Sequence, residues 1–556
     1  MLASAAVLAV GLPVRTHAQP PPSPQPSSLT PAPQPTPLAS PGPVGPNPTY
    51  APSPGATLPG EIQGPTLAPS LPQPVNLSPN AVLLLIGHSA SVDLLSPVSG
   101  IVTASGFDPA IARVVFDPIG RKVQAFGLHA GTTTATITDE SNLSATLSIT
   151  VQVSAGKAFE ATSAVITGRP ASGDFVADSA ARAAERVSYP QPGASVKIDQ
   201  GSIAGVRPLG VDDVETVAVP VTISGPGYYP YHSTVSVQLT NLAQPPAPPK
   251  YLLVSDYPET ITENGTLFFA DVNYGDPARL LYYHYAPKDA PLRRVLVKVQ
   301  NNGVVDSTIS LIAGLAGPSP DVLYIGHVAT QRFLVREAAG EGEIFDVQPH
   351  STINVVDQLL PANALVSGLM QFRVISGDGV RVAVLVQNAT DPMTDPISDT
   401  LLQSSQQHAR GIYQVPEFFY DEYYTVGADP TVLVVGQLPL PNLVQGQVLG
   451  GDYGVKQSAD LTLLNPTNDA ARVGVWFEPR GGRATGTFLL DGDVLQLHGV
   501  NPFAPVLLRS WIVPPHGYRD VGLVTMPEGG SSYPVNLLVS SQPPPGGGWG
   551  VTSALY

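Results

Sequence analysis

The sequence lacks cysteine, and this absence excludes three kinds of chemistry. With no Cys among 556 residues, the chain has no disulfide, no thiolate ligand for zinc and no cysteine nucleophile. Charge is also scarce, since Asp, Glu, Lys and Arg make up only 13% of the residues, about half the usual share. The net charge of −16 comes without a basic run, so a nucleic-acid partner is not expected.

Long hydrophobic runs are missing too. The apolar stretch 5–12 ends at Pro13 and is followed by Thr16-His17-Ala18, which places small residues at the two positions that a signal peptidase reads. A membrane-spanning helix needs about 20 apolar residues, so this stretch is too short to span a bilayer. Residues 1–18 therefore have the outline of a signal peptide, although no Lys or Arg precedes the apolar stretch. We expect an exported protein, at the cell surface, outside the cell or in the periplasm, with no transmembrane segment in the mature chain.

Proline dominates the segment that follows. Residues 19–74 contain 20 of the 61 prolines and a single charge, Glu61. Such a composition cannot bury a core and favours extended polyproline II. Residues 19–76 are therefore predicted to be a disordered linker that acts as a spacer.

The rest of the chain has the pattern of short β-strands. Apolar and polar residues alternate in 134–138, 145–151 and 217–223, each about the length of one strand. The clearest helical stretch is 177–187, with Asp174 or Asp178 as its cap. The predicted fold class is mainly β, with tandem Ig-like β-sandwich domains after the disordered segment. The predicted units are an Ig-like sandwich at 77–154, a small β-rich domain with one helix at 155–243, a proline hinge at 244–249, a sandwich at 250–405, and a related sandwich at 406–556.

One motif resembles a known family. Residues 108–114 (DPAIARV) and 127–137 (GLHAGTTTATI) are similar to the pattern of bacterial Ig-like (group 2) domains, and a similar pattern occurs in the N-terminal domain of pilus-assembly secretins. The resemblance covers 77–154 and implies a small sandwich. It carries no functional residue, because such modules serve as spacers, adhesin stalks and parts of secretion machines alike.

A second resemblance covers residues from 257 to 299 and beyond. This part of the chain is similar to an uncharacterised module of secreted bacterial proteins, sometimes joined to domains like the N-terminal domain of copper amine oxidases. The resemblance implies export alone. No copper ligand or quinone-forming tyrosine is assigned from it.

The second half of the chain repeats a short pattern. In each copy a strand ends in an Asn-rich turn, at Asn301 and at Asn465, and a Val-x-Pro-His sequence follows some fifty positions later. The two histidines that recur in this way could be metal ligands, but a corner that sets backbone direction before a strand is the preferred interpretation. The predicted structural corner residues are Pro349, His350, Pro515 and His516.

Tyrosine clusters are the candidate ligand-binding features. In a strand, alternate side chains face opposite sides, so about half of each cluster is expected in the core and half outside. Packing in the core or over a sandwich edge is the preferred interpretation, and stacking on a polysaccharide is the alternative. The candidate stacking residues are Tyr228, Tyr229, Tyr231, Tyr282, Tyr283, Tyr285, Tyr423 and Tyr424.

The sequence offers no catalytic motif. There is no Gly-x-Ser-x-Gly elbow, no phosphate-binding glycine loop and no His-Glu-x-x-His helix. Asp391, Asp395 and Asp399 lack the alternate-residue spacing of a calcium loop and are interpreted as a solvated linker. No catalytic residue, metal ligand or cofactor is predicted, although a carboxylate pair assembled only in three dimensions would escape this search.

The sequence thus predicts a non-enzymatic, exported modular protein of the bacterial cell envelope or surface, with a structural or adhesion role. Its expected partners are envelope polysaccharide or other surface proteins. Two alternatives stay open: a glycan-binding module acting through its tyrosines, and a periplasmic component of a pilus or secretion apparatus.

Overall fold

The computed structural model describes residues 74–550 apart from 99, 204, 393–395, 406–407 and 445. The predicted signal peptide and almost all of the predicted linker lie outside these residues. The described chain is mainly β, as the sequence predicts, with two α-helices and one 3₁₀ turn. No helix among the described residues is long and apolar enough to cross a membrane.

The first unit is a sandwich of two four-stranded sheets, with strand orders β1-β3-β6-β5 and β2-β8-β7-β4. Alternation places Leu147, Ile149 and Val151 inside, where they meet Val92 and Val123 of the facing sheet. The strands are β1 Leu77–Ser78, β2 Ala81–Leu85, β3 Ser89–Leu94, β4 Thr103–Ser105, β5 Ala112–Asp117, β6 Lys122–Gly127, β7 Gly131–Thr138 and β8 Ser144–Gln152.

The central region contains two helices and sixteen strands among the described residues. The helices are α1 Gly173–Arg186 and α2 Val322–Ala339. The strands are β9 Gly156–Ala158, β10 Ala161–Thr167, β11 Ser188–Pro190, β12 Ser195–Ile198, β13 Val214–Ser224, β14 Tyr231–Asn241, β15 Tyr251–Ser255, β16 Gly265–Val272, β17 Ala278–Tyr285, β18 Arg293–Asn301, β19 Ser307–Ser319, β20 Gly342–Val347, β21 Thr352–Leu360, β22 Leu365–Ser376, β23 Val380–Asn388 and β24 Arg410–Tyr413.

One ten-stranded sheet crosses the predicted hinge at 244–249. Its order is β12-β13-β14-β10-β20-β19-β22-β17-β15-β24, so strands from both sides of the hinge lie in the same sheet. The two parts join where Val165 of β10 pairs with Ile344 of β20. The segment predicted as a hinge is attached to the rest of the protein, because the side chains of Arg169 and Arg373 donate hydrogen bonds to the carbonyls of Gln244 and Pro245.

The two faces of this sheet are covered differently. On one face α1 packs on β10, β13 and β14, and a four-stranded sheet of order β16-β23-β18-β21 packs on the remaining strands. On the other face α2 packs against β19 and β22, with Phe333 and Leu334 meeting Leu281 and Leu369. The central region is therefore layered about the ten-stranded sheet.

The helix predicted at 177–187 begins earlier than expected. It starts at Gly173, and Ser172 caps it by accepting a hydrogen bond from the Phe175 amide at 3.3 Å, so neither Asp174 nor Asp178 is the cap. The helix α2 was not predicted. Asp321 caps its start, and Gly340, with a φ of +68°, ends it in the left-handed conformation that glycine favours.

The last unit is a sandwich of a five-stranded sheet, β25-β27-β32-β29-β30, and a four-stranded sheet, β26-β33-β28-β31. Its core holds Phe477, Phe488 and Trp511. The strands are β25 Glu417–Thr425, β26 Thr431–Val435, β27 Lys456–Asn465, β28 Ala471–Pro479, β29 Ala484–Leu490, β30 Asp493–Val500, β31 Val506–Val513, β32 Gly517–Thr525 and β33 Val535–Ser540.

Helix α2 lies between the central sheet and this C-terminal sandwich, and it is also in contact with β29 and β30. The approach is close: a Cβ added at Gly326 would lie 1.7 Å from the Gly529 carbonyl oxygen. Beside it, buried His327 sits 2.9 Å from a Glu528 carboxylate oxygen through Nδ1 and 3.0 Å from Gln496 Oε1 through Nε2. The contact thus combines backbone packing with a buried ion pair.

A buried ion pair also ties α1 to β20. Glu343 is almost fully buried, and its two carboxylate oxygens lie 2.6 Å from Arg182 Nε and 2.8 Å from Arg186 Nη1. Although burial alone would raise the pKa of Glu343, the two guanidinium groups outweigh it and lower the pKa to about 2. This contact joins the predicted units 155–243 and 250–405.

Replacing this carboxylate should destabilise the protein in a pH-dependent way. Because Glu343→Gln removes one side of a buried pair, we expect the free energy of unfolding at pH 7 to fall by about 3 kcal/mol. A lowered carboxyl pKa stabilises the fold above the unfolded-state pKa of about 4.5, and this contribution disappears as the pH falls toward 2. The difference between wild type and variant in urea unfolding should therefore shrink from pH 5 downward.

Asp271→Asn is the matched control, since it removes one of the two carboxylate partners of Arg381, in a pair 2.9 Å long whose carboxylate is 61% exposed. It should change stability by less than about 1 kcal/mol. Equal effects of the two substitutions, or a Glu343→Gln deficit that does not shrink between pH 5 and pH 2, would contradict this assignment.

The fit of α2 against the C-terminal sandwich makes a second prediction. Gly326→Ala places a methyl group against the Gly529 carbonyl, so the two elements must separate. We expect a loss of about 1–3 kcal/mol in urea unfolding and faster proteolysis between the central region and the sandwich. Gly481→Ala is the control, because a Cβ there meets no atom within 4 Å. Identical protease resistance in the two variants would show that the contact is looser than described.

Candidate functional site

The first group of candidate stacking residues packs on the protein itself. Tyr228 and Tyr231 lie against the core beneath α1, and the Tyr228 hydroxyl donates to the Pro192 carbonyl at 3.2 Å. Tyr229 is fixed through its backbone, since its amide donates to the Val153 carbonyl at 2.8 Å. These rings are half-buried at an edge, which agrees with the preferred interpretation of the sequence.

The second group is buried in the central sheet. Tyr282 has no exposed surface, and its hydroxyl donates to Gln358 Oε1 at 2.6 Å. Tyr283 is 7% exposed and faces α2, whereas Tyr285 is half-buried and donates to Asn363 at 2.9 Å. Tyr282 and Tyr283 therefore cannot stack on an external ligand. For these two residues the alternative of polysaccharide stacking is wrong. The reason is that β17 is covered on both faces, so alternation does not bring every second ring to the surface.

The third group divides as alternation predicts. Tyr424 is buried, and its hydroxyl lies 2.8 Å from Ser541 Oγ, whereas Tyr423 is 69% exposed. Two and four residues earlier on the same strand, Asp421 and Phe419 are also exposed, the latter to 76%. We call Phe419, Asp421 and Tyr423 the β25 face. Of these three residues, only Tyr423 was a candidate from the sequence.

Polar groups continue the β25 face across the sheet. In the parallel pairing of β25 with β27, Asp421 stands opposite Asp460 and Tyr423 opposite Thr462. Thr462 in turn donates to Asp520 of β32 at 2.8 Å. Neither Asp421 nor Asp460 forms an ion pair with any residue that the structure describes. An edge strand thus presents two separated rings with uncompensated carboxylates between and beside them.

The spacing of the two rings suits an extended ligand. Four residues of strand separate Phe419 from Tyr423, which corresponds to about 13 Å along the sheet. One ring-sized ligand cannot reach both. Aromatic faces provide flat apolar surface for a ligand, and carboxylate oxygens accept hydrogen bonds from hydroxyl groups. The β25 face therefore matches a long, hydroxyl-rich chain.

The two Pro-His corners have the same local structure. In each, proline is followed by a histidine with positive φ, 54° at His350 and 52° at His516. The preceding strand end is held by an asparagine: the Asn301 amide donates to the Val347 carbonyl at 2.9 Å, and the Asn465 amide donates to the Val513 carbonyl at 3.0 Å. Pro349 and Pro515 occupy the second position of each turn, where their fixed φ is favourable. Each histidine lies in its own turn.

The aspartate series is only partly described. Asp391 accepts a hydrogen bond from Asn388 at 3.0 Å, and Asp399 pairs with Arg381 at 3.0 Å. Asp395 lies outside the described residues. Asp391 and Asp399 therefore contact different residues, Asn388 and Arg381.

A cleft of about 440 Å³ opens beside the proline hinge. Its cationic lining is already engaged: Arg169 and Arg373 hold the hinge carbonyls, and Lys456 lies 2.7 Å from Glu337. The cleft thus presents mainly proline and aliphatic surface.

A cluster of titratable groups lies at the end of β15. His408 Nε2 is 2.9 Å from Glu259 Oε2, and His408 Nδ1 is 3.4 Å from Asp256 Oδ2. Burial raises the pKa of Asp256 to about 7, although the adjacent imidazole acts in the opposite direction. The Asp256 carboxylate raises the pKa of His408. Sequence reasoning missed this cluster because Asp256 and His408 are far apart in the chain and meet only through the pairing of β15 with β24.

Comparisons with known proteins leave the family open. No protein-family model matches the chain, and no curated protein matches it. The solved structures that superpose on it include domains 5–6 of the S-layer protein SbsC, with 14% identity over 30% of this chain and 97% of that one, at a TM-score of 0.14. They also include SGBP-B of Bacteroides ovatus in complex with a mixed-linkage heptasaccharide, with 8% identity over 52% of this chain and 72% of that one, at a TM-score of 0.12. A multicopper oxidase from Campylobacter jejuni matches with 9% identity, 80% and 78% coverage and a TM-score of 0.11. Scores this low carry no argument about activity.

Proposed function

We propose that this chain is an exported, non-enzymatic modular protein of the bacterial cell envelope that binds polysaccharide through its C-terminal sandwich. The observation that carries the proposal is the β25 face, where Phe419 and Tyr423 are exposed on either side of Asp421. Export is supported by the signal-peptide outline at 1–18 and the proline-dense segment 19–76, which suits a tether.

The position of the face favours a binding role. Helix α2 reaches the C-terminal sandwich near Lys456, which is paired with Glu337. The β25 face begins at Phe419, close to that contact but outside it. The ten-stranded sheet and α2 therefore support the strand while leaving its rings exposed, as a rigid binding platform requires.

Removal of the two rings tests the glycan proposal. A stacked ring contributes on the order of 1 kcal/mol, so Phe419→Ala with Tyr423→Ala should weaken binding of the full chain to purified cell-wall polysaccharide by roughly 30-fold. The measurement is depletion of the protein from solution by the insoluble polysaccharide over a range of concentrations.

Tyr274→Ala is the matched control, because Tyr274 is 68% exposed but lies outside the β25 face. It should bind as the wild type does. Binding that is unchanged in the double variant would remove the glycan proposal and leave the structural or adhesion role.

Brief proteolysis of intact cells tests the location. If the protein is tethered and faces outward, cleavage within 19–76 should release a folded fragment that contains the described residues. Protection until the envelope is opened would contradict the surface location. In that case a periplasmic part of a pilus or secretion apparatus becomes the better proposal.

A further inference from the structure

Three side chains with metal-binding atoms converge at one edge of the ten-stranded sheet. Asp256 directly follows β15, and His408 stands two residues before β24, its antiparallel neighbour. The Asp256 amide donates to the Ala409 carbonyl at 3.0 Å, which continues the ladder beyond the strands. Glu259 lies three residues after Asp256 and reaches the same imidazole. The sheet pairing thus brings distant parts of the chain to one point.

The distances fit a small cation site. One ligand atom from each of Asp256, Glu259 and His408 lies within 4.8 Å of the others. In a tetrahedral zinc site with bonds of about 2.0–2.2 Å, ligand atoms are about 3.4 Å apart. The three atoms must therefore approach one another by up to about 1.4 Å (4.8 Å less 3.4 Å) to bind one ion. Because Asp256 contacts Nδ1 and Glu259 contacts Nε2 of His408, one carboxylate must also turn toward the nitrogen that binds the ion.

A second observation points to a missing partner at this place. The Oδ1 atom of Asp256 is buried and accepts no hydrogen bond from any described residue. A buried carboxylate oxygen without a partner is costly, and its occurrence in a native structure calls for an ion or a water. The cluster also pairs two carboxylates with a single imidazole, so with both carboxylates ionised it carries net negative charge even when His408 is protonated.

The segment that bears the two carboxylates is fixed from both sides. The Arg410 guanidinium lies over the Tyr257 ring, with its central carbon 4.7 Å from the ring centroid. Arg410 also donates a hydrogen bond to the Leu402 carbonyl at 2.6 Å. On the inner side, buried His284 contacts the Pro258 carbonyl through Nδ1 at 3.0 Å and Ser255 Oγ through Nε2 at 3.1 Å. Support of this kind holds metal ligands in place before the metal binds.

We propose that Asp256, Glu259 and His408 bind one divalent transition-metal cation, with Zn²⁺ as its representative. An imidazole ligand favours zinc and its neighbours over calcium and magnesium, which prefer oxygen ligands alone. All three side chains are partly exposed, so the cation can enter from solvent and keep a water as its fourth ligand. Bound there, it replaces the proton on one ring nitrogen of His408 and ties His408 to the end of β15.

The test is calorimetric titration of the full chain, stripped of metal with a chelator, with zinc chloride. We expect one tight site per chain and a rise in melting temperature on saturation. Loss of an outer-shell partner alone typically costs 10- to 100-fold in affinity, so removal of a ligand in His408→Ala should cost about 100-fold or more. His516→Ala is the control, since it removes an exposed histidine from a corner turn elsewhere and should leave the tight site intact.

Glu259→Gln provides an independent variant, because it removes a ligand while preserving size. If His408→Ala is unfolded by circular dichroism, the decision falls to Glu259→Gln, which should also lose the tight site. The proposal would be overturned if the wild type bound no zinc, or if the folded variants bound zinc as tightly as the wild type. It would also be overturned if calcium bound as tightly as zinc and His408→Ala did not weaken that binding. The assay contains no polysaccharide, so its outcome is separate from that of the glycan proposal.

Discussion

A network of four charges around the buried Arg279 holds the C-terminal sandwich against the central sheet. Arg279 of β17 has no exposed surface, and its guanidinium lies 2.8 Å from Glu417 and 3.4 Å from Glu337, while Lys456 lies 2.9 Å and 2.7 Å from the same two carboxylates. The charges balance, so none is buried without an opposite partner. Because moving any of the four elements that carry them would separate opposite charges in a poorly solvated place, the network disfavours other arrangements. Helix α2 supplies Glu337 and the close Gly326–Gly529 contact, and thus holds the sandwich at two points.

Apolar contacts within the layers stabilise the fold, whereas polar contacts at the junctions fix how the layers are positioned on one another. The sandwich cores are made of Val, Leu, Ile and aromatic side chains. Such contacts stabilise strongly but tolerate sliding, since burial is not directional. Ion pairs such as Glu343 with Arg182 and Arg186 depend on direction and distance, and they occur where one layer must find a single position on another. A strand such as β25 can then hold its exposed side chains in a constant orientation.

Local patterns predicted much of the fold, and long-range pairing explains most of what they missed. Alternation indicated β7 and β8, and the asparagine and Pro-His sequences marked two corners that have the same hydrogen bonds. Helix α2 was not predicted because it is buried on two sides. Ile325, Gly326 and His327 are consecutive and all buried, so the sequence of the helix has no single apolar stripe. The proline hinge suggested a boundary, yet β10 and β20 pair across it far apart in the chain. Asp256 and His408 meet for the same reason.

The exposed rings of β25 are not explained by protection of the strand edge. An edge strand offers unpaired backbone groups to other chains, and charged side chains are the usual means of discouraging such pairing. Asp421 and Glu422 can serve that purpose, but Phe419 and Tyr423 act against it, because large exposed aromatic side chains promote association. Two rings exposed together on an edge strand favour contact with another molecule. A ligand of the kind proposed would cover both the rings and the open edge, so the proposed binding accounts for the aromatic exposure that edge protection does not explain.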